Sequence, residues 1–286
     1  MTKSTYGLGL WRVLPTLATQ AASLNVRAGA FSFLHGVEVM NRGFLLSVLS
    51  VFCLTAQAGP QINVGTVYDY MDADKSTYLK RVFNSGDATA FVKVNVLEIV
   101  YGADGTPKEI PVENAADGAS RNGLMASPAR LIVPAQGMQG TRLLYMGERD
   151  RERYFRVRFV PVVPEKEDEF AVSQEEREDY KKALTAGVNV MTGFGTVFFV
   201  RPREARFATT INETASRYEL RNDGNTVVIV DEFRSCSLSN ETDCGATTKH
   251  HVLAGKTFAF DKEKGRGYRF FLIEGSEKKN LTVSSR

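Results

Sequence analysis

Histidine and cysteine are the side chains best suited to acid–base, nucleophilic or metal chemistry, and this sequence has three of each. His250 and His251 are neighbours, so in a strand they point to opposite faces and do not share a ligand. A catalytic dyad built on either is outweighed by the ordinary reading, a surface or hydrogen-bonded strand histidine. Cys236 and Cys244 are spaced Cys-x7-Cys without a second Cys pair, and His250-His251 lack the spacing of a zinc finger. No Gly-x-Ser-x-Gly elbow, His-Glu-x-x-His or Walker loop occurs. Gly193-Phe-Gly195 is like a fragment of a phosphate loop, but it lies in a β-like run that no helix follows. Asn212-Glu-Thr, Asn240-Glu-Thr and Asn280-Leu-Thr match glycosylation acceptors, a pattern that also arises freely by chance. The residues therefore predict no enzyme, no metal or cofactor and no small-molecule substrate.

Charge narrows the partners further. The chain carries 36 Lys and Arg against 33 Asp and Glu, and residues 1–58 hold Lys3, Arg12, Arg27 and Arg42 against Glu38 alone. Without that stretch 32 of each sign remain, so no positive field is left to neutralise phosphates and nucleic acid is not an expected partner. The 43% apolar and 24% charged composition is that of a globular protein with enough apolar mass for a core.

The one long apolar run covers residues 44–58 and ends in Ala56-Gln-Ala58, followed by Gly59-Pro60. It is short for a bilayer span, which needs about 20 apolar residues. Met40-Asn-Arg42 supplies a start and a positive n-region, and Ala56-Gln-Ala58 the small-x-small cleavage pattern, so residues 40–58 read as a secretory signal. Residues 1–39 then read as an upstream extension outside the mature protein. A buried helix or short signal anchor is the competing reading. Lipoprotein processing fails because bulky Phe52 precedes Cys53. The expected mature chain, 59–286, keeps Cys236 and Cys244, and an even pair in an exported protein favours a disulfide over metal binding.

Strands must position whatever this protein presents. Residues 76–84, 89–100 and 153–160 are rich in β-branched and aromatic residues. In the last, Phe155, Val157 and Phe159 share one face and Tyr154, Arg156 and Arg158 the other, as in a sheet with one dry side. Asn84-Ser-Gly-Asp87, Gly102-Ala-Asp-Gly105, Pro134-Ala-Gln-Gly137 and Asn222-Asp-Gly-Asn225 supply the turns. Many short strands so punctuated predict all-β sandwiches. A strand over 188–200 ends at Arg201-Pro-Arg203, which divides the mature chain into an N-terminal domain 59–200, a linker 201–204 and a C-terminal domain 205–286. Between Pro164 and Ala186 an acidic cluster (Glu165, Glu167, Asp168, Glu169, Glu175, Glu176, Glu178 and Asp179) reads as solvated surface. There Ser173-Gln-Glu-Glu176 offers a capping box for a short helix through Leu184.

Met71-Asp-Ala-Asp-Lys-Ser-Thr77, Ala126-Ser-Pro-Ala-Arg-Leu-Ile-Val-Pro-Ala-Gln-Gly137, Thr141-Arg-Leu-Leu-Tyr145 and Arg151-Glu-Arg-Tyr-Phe-Arg-Val157 follow one another in an order similar to that of periplasmic pilus-assembly chaperones. Leu220-Arg-Asn-Asp-Gly-Asn-Thr226, the pair Cys236 and Cys244, and Leu253-Ala-Gly-Lys256 extend the likeness over residues 62–275. The sequence most resembles the alternate branch of that family, and within it the chaperones of the common pilus.

The resemblance implies two immunoglobulin-like sandwiches in a boomerang arrangement, exported to the periplasm. It also implies two partners, newly exported pilin subunits and the outer-membrane usher that receives them. A pilin with an incomplete sandwich is completed by an extended strand from another molecule, through backbone bonds and alternate side chains. The family places its donor strand just before the domain boundary, where Val188, Val190, Thr192 and Phe194 alternate. The competing reading packs that face inside the first domain. Archetypal members anchor the subunit's terminal carboxylate with an Arg on the first strand and a Lys late in the donor strand. Those positions fall here near Tyr68 and on Val197, neither basic, so Arg130, Arg201 and Arg203 are the candidate replacements. An exported pilus subunit or adhesin is the alternative function. It would carry a free donor extension at the mature N-terminus, whereas Ile62-Asn-Val-Gly-Thr-Val67 leads almost directly into the first strand.

Overall fold

The computed structural model describes residues 59–102, 104–112, 122–185, 190–240 and 242–285, so the signal segment, the 1–39 extension and Val188 lie outside the described residues. The first half is built from β1 (Ile62–Asn63), β2 (Tyr68–Met71), β3 (Thr77–Asn84), β4 (Ala90–Tyr101), β5 (Pro107–Pro111), β6 (Gly123–Ser127), β7 (Arg130–Val133), β8 (Met138–Met146), β9 (Arg153–Val162), helix α1 (Gln174–Thr185) and β10 (Phe194–Val200). One sheet runs β1-β3-β8-β6 and the other β2-β10-β9-β4-β5, with β7 paired to β4. Their inner faces meet in a core that includes Val82, Val92, Leu124, Leu131, Phe198 and Val200. Phe155, Val157 and Phe159 are fully buried there, as their alternation predicts.

The second half adds β11 (Thr209–Glu213), β12 (Arg217–Asn222), β13 (Val228–Ser237), β14 (Thr248–Val252), β15 (Thr257–Asp261), β16 (Arg266–Glu274) and β17 (Glu277–Ser284). Sheets β11-β12-β15 and β14-β13-β16-β17 enclose a separate core around Tyr218, Leu220, Val230, Phe270 and Leu272. The protein is thus all-β, with two immunoglobulin-like sandwiches. Cys236 and Cys244 form the disulfide, closing the excursion after β13.

The expected strand over 188–200 is shorter in the structure, beginning at Phe194. Its partner explains the stop. Phe194 pairs with Phe159, so two residues earlier Thr192 would face Pro161, which has no N–H for the ladder.

The connection from β9 to β10 is fastened to the outer face of β4. Phe91 meets the rings of Phe170 and Tyr180 edge-on, and the Tyr180 hydroxyl donates to the Thr89 carbonyl at 2.8 Å. Asp168 departs from the solvated-surface reading: it is buried and pairs with Lys93. The capping box forms as its sequence suggests, Ser173 Oγ accepting from the Glu176 N–H and Glu176 Oε2 from the Ser173 N–H, and α1 runs on to Thr185.

Candidate functional site: an open strand edge and an aromatic cleft

β10 is covered unequally on its two sides. β9 pairs with it from Phe194 to Val200, but β2 reaches only residues 197–200. The Val197 N–H donates to the Val67 carbonyl at 2.8 Å, so the backbone of Gly195, in phase with it, faces the same side. There it is exposed and has no backbone partner among the described residues. In line with this bare edge, Val190 is 78% exposed, Thr192 is exposed, and Phe194 is half-buried against the first core. The edge therefore offers unpaired backbone groups, and the exposed apolar side chain of Val190 precedes it in the chain, a combination suited to strand addition.

Where β10 meets β2, Val197 sits opposite Tyr68, the two non-basic positions noted in the sequence. An aromatic cleft surrounds them. The His251 ring lies 4.1 Å from that of Tyr68 and stacks on Phe199 at 5.2 Å, while its Nε2 hydrogen-bonds the Tyr70 hydroxyl at 2.6 Å. Burial, helped by Lys249 and opposed by Asp231, lowers the His251 pKa to about 4, so the ring is neutral at neutral pH. His250 points the other way, onto Phe233 and Phe258, as expected of adjacent strand residues. Burial also raises the Tyr70 and Tyr154 hydroxyls well above the usual tyrosine range. Beside the cleft, buried Glu152 accepts from Thr226 Oγ1 at 2.5 Å and from the Val227 N–H at 2.9 Å. Desolvation raises its carboxyl pKa.

The three candidate arginines do not converge. Arg201 follows β10 directly: its Nη1 donates to Asp72 Oδ1 at 2.5 Å, and its guanidinium lies 5.7 Å from the Tyr70 ring and 5.3 Å from the Phe207 ring. Its Nε is buried and has no hydrogen-bond partner among the described residues. Arg203 lines an open cavity of about 690 Å³ with Arg149 and Arg206. Arg130 stands elsewhere. It pairs with Lys93, which pairs with Val160, placing it at the Phe194 end of the sheet, while Arg201 follows the opposite end. There Arg130 Nε donates to the Asp168 carbonyl at 2.5 Å, so it serves the β9–β10 connection.

Sequence reasoning missed Arg149, whose Nη1 donates to the Arg201 carbonyl at 3.0 Å and the Asp72 carbonyl at 3.2 Å. Nothing in its surroundings in sequence marks it, because its partners lie 52 and 77 residues away.

No family model matches the chain. A protein of Escherichia coli O157:H7 named "Probable fimbrial chaperone EcpB" is 24% identical over 220 residues, covering 76% of this chain and 87% of the relative. The protein of the same name from E. coli K12 strain DH10B is 23% identical over 203 residues, 70% of this chain and 81% of that one. Among solved structures, the class 5 fimbriae chaperone CfaA aligns with 78% of this chain and 98% of its own at 19% identity and a TM-score of 0.49. The Pseudomonas aeruginosa CupB2 chaperone aligns with 78% of this chain and all of its own at 13% identity and a TM-score of 0.46. The resemblance to pilus-assembly chaperones read from the residues is borne out by the curated relatives, which carry the fimbrial-chaperone name.

Proposed function

We propose that this protein is an exported, non-enzymatic chaperone of the periplasm that captures pilus subunits by lending them a strand and delivers them to an outer-membrane usher. The observation that carries the reading is the bare side of β10, where exposed Gly195 backbone adjoins an alternating series containing exposed Val190. A subunit lacking one strand gains backbone bonds from such an edge and fills its groove with the alternate side chains. Val190, Thr192 and Phe194, with Val188 preceding them, are the donor residues of this reading. Residues 59–200 form the capturing domain, 201–204 the linker and 205–286 the second domain. Arg201 is the favoured anchor for a subunit's terminal carboxylate, because it directly follows β10 and carries a fixed guanidinium there. Likeness to relatives named as fimbrial chaperones supports the whole assignment.

Co-expression of the tagged protein with candidate pilin subunits, followed by isolation from the periplasm, tests it. A stoichiometric complex with a pilin subunit is expected. Recovery of the tagged protein alone, with pilins degraded as rapidly as in its absence, contradicts the assignment.

A further inference from the structure

The bare edge exists because β2 stops where it does, and a buried cluster coincides with that stop. Lys80 on β3 and Asp69 on β2 form an ion pair at 2.6 Å, with side chains 4% and 2% exposed. Lys80 Nζ also donates to the Thr66 carbonyl at 2.6 Å. Thr66 Oγ1 and the Tyr78 hydroxyl both donate to Asp69 Oδ1, at 2.7 and 2.8 Å. One residue earlier, Gly65 adopts φ +68°, in the left-handed region that favours glycine, and its N–H is held by Asn63 Oδ1 at 2.6 Å. The chain thus turns away from β10 between β2 and β1, and β1 pairs with β3 in the opposite sheet.

Without that turn, nothing in the register would stop the pairing. Tyr68 faces Val197, so an extended Thr66 would face Gly195, the Gly195 N–H reaching the Gly65 carbonyl and the Val67 N–H reaching the Gly195 carbonyl. A two-residue continuation would close the edge from within the chain. A buried ion pair is a poor source of stability compared with apolar packing, so its retention here fits a role in fixing one arrangement over another.

We propose that Lys80, Asp69, Thr66 and Gly65 form a clasp that ends β2 at Tyr68 and keeps β10 unpaired at Gly195, available to a partner strand. They are positioning residues, and the proposal rests on the reading of β10 as the donor strand.

Residue-resolved amide exchange on the full free mature chain tests it with two independent variants. In Gly65→Val, a β-branched residue disfavours the left-handed turn; a Cβ at this position meets no atom within 4 Å, so the cost is backbone strain in the turn and not a clash with its neighbours. Gly65→Asn is the control, because asparagine tolerates the turn. The second variant, Lys80→Met with Asp69→Asn, removes both charges together. The clasp predicts that Gly195 protection rises at least tenfold in Gly65→Val and in the double variant, stays within twofold in Gly65→Asn, and that Val197 remains protected throughout. Unchanged Gly195 exchange in folded Gly65→Val overturns the proposal. So does loss of Val197 protection without a gain at Gly195, which would make the cluster a plain support for β2. If the double variant fails to fold, the Gly65 pair decides alone. The readout needs no subunit, so its failure is separate from failure of the donor-strand reading, which subunit capture measures.

Discussion

His251 concentrates the acid response of the aromatic cleft. Its folded-state pKa of about 4 lies below the ordinary histidine value of 6.5, so between those limits the unfolded chain binds more protons. Stability from this group is full above pH 6.5 and is lost as the pH falls through 4. The effect is roughly 1–3 kcal/mol after allowance for the partial exposure of the ring. His251→Phe keeps the stacking but not the titration, and chemical denaturation from pH 7 to 4 should show a flatter decline than in the parent. An identical slope would take His251 out of the account. Glu152 has the opposite sign: its raised pKa means that ionisation costs stability as the pH rises above the ordinary glutamate value. Glu152→Gln retains an acceptor for the Val227 N–H and should lie within about 1 kcal/mol of the parent at pH 7. Glu152→Ala strands that buried N–H and should lose about 1–3 kcal/mol in the same measurement.

Short-range signals made the elements legible. Period-two alternation marked β9 and its dry face, and Ser173 with Glu176 marked the start of α1, because both signals are carried by residues a few positions apart. The end of the β9–β10 ladder was harder, since it depends on Pro161 lying across from Thr192, and register is not written in either strand alone. The aromatic cleft was not legible at all: Tyr70 and His251 are 181 residues apart, and only the assembled sheets bring them together. Two element-scale expectations follow. Ser173→Ala removes the hydroxyl cap and should destabilise α1 by about 1 kcal/mol, read as faster amide exchange confined to 174–185. Replacing both Cys236 and Cys244 by serine should cost the second sandwich about 2–3 kcal/mol on the chain-entropy estimate for so short a loop, measured by denaturant unfolding. An unchanged midpoint would show that the loop stabilises nothing beyond itself.

At the scale of the whole molecule, the proposed function gives one strand two duties. The inward side of β10 belongs to the first core through Phe198 and Val200, and its edge before Val197 has no β2 partner; in the proposed function that edge, with the segment before it, serves another chain. Such an edge would ordinarily invite aggregation, and β2 covers only part of it, so an open remainder fits the proposed strand-lending function. The central claim is that Val190 and its neighbours fill a subunit groove. One large apolar side chain buried there contributes about 1.5–3 kcal/mol, and a buried unpaired charge costs several more, against the roughly 8 kcal/mol of a micromolar complex. Val190 is exposed in the free protein, so Val190→Asp should leave its thermal midpoint within about 2 °C of the parent. The decisive measurement is pilin capture by purified Val190→Asp beside the parent, with both melting curves recorded. The account predicts unchanged melting and capture reduced at least a hundredfold; a folded Val190→Asp that captures pilin as well as the parent would contradict it.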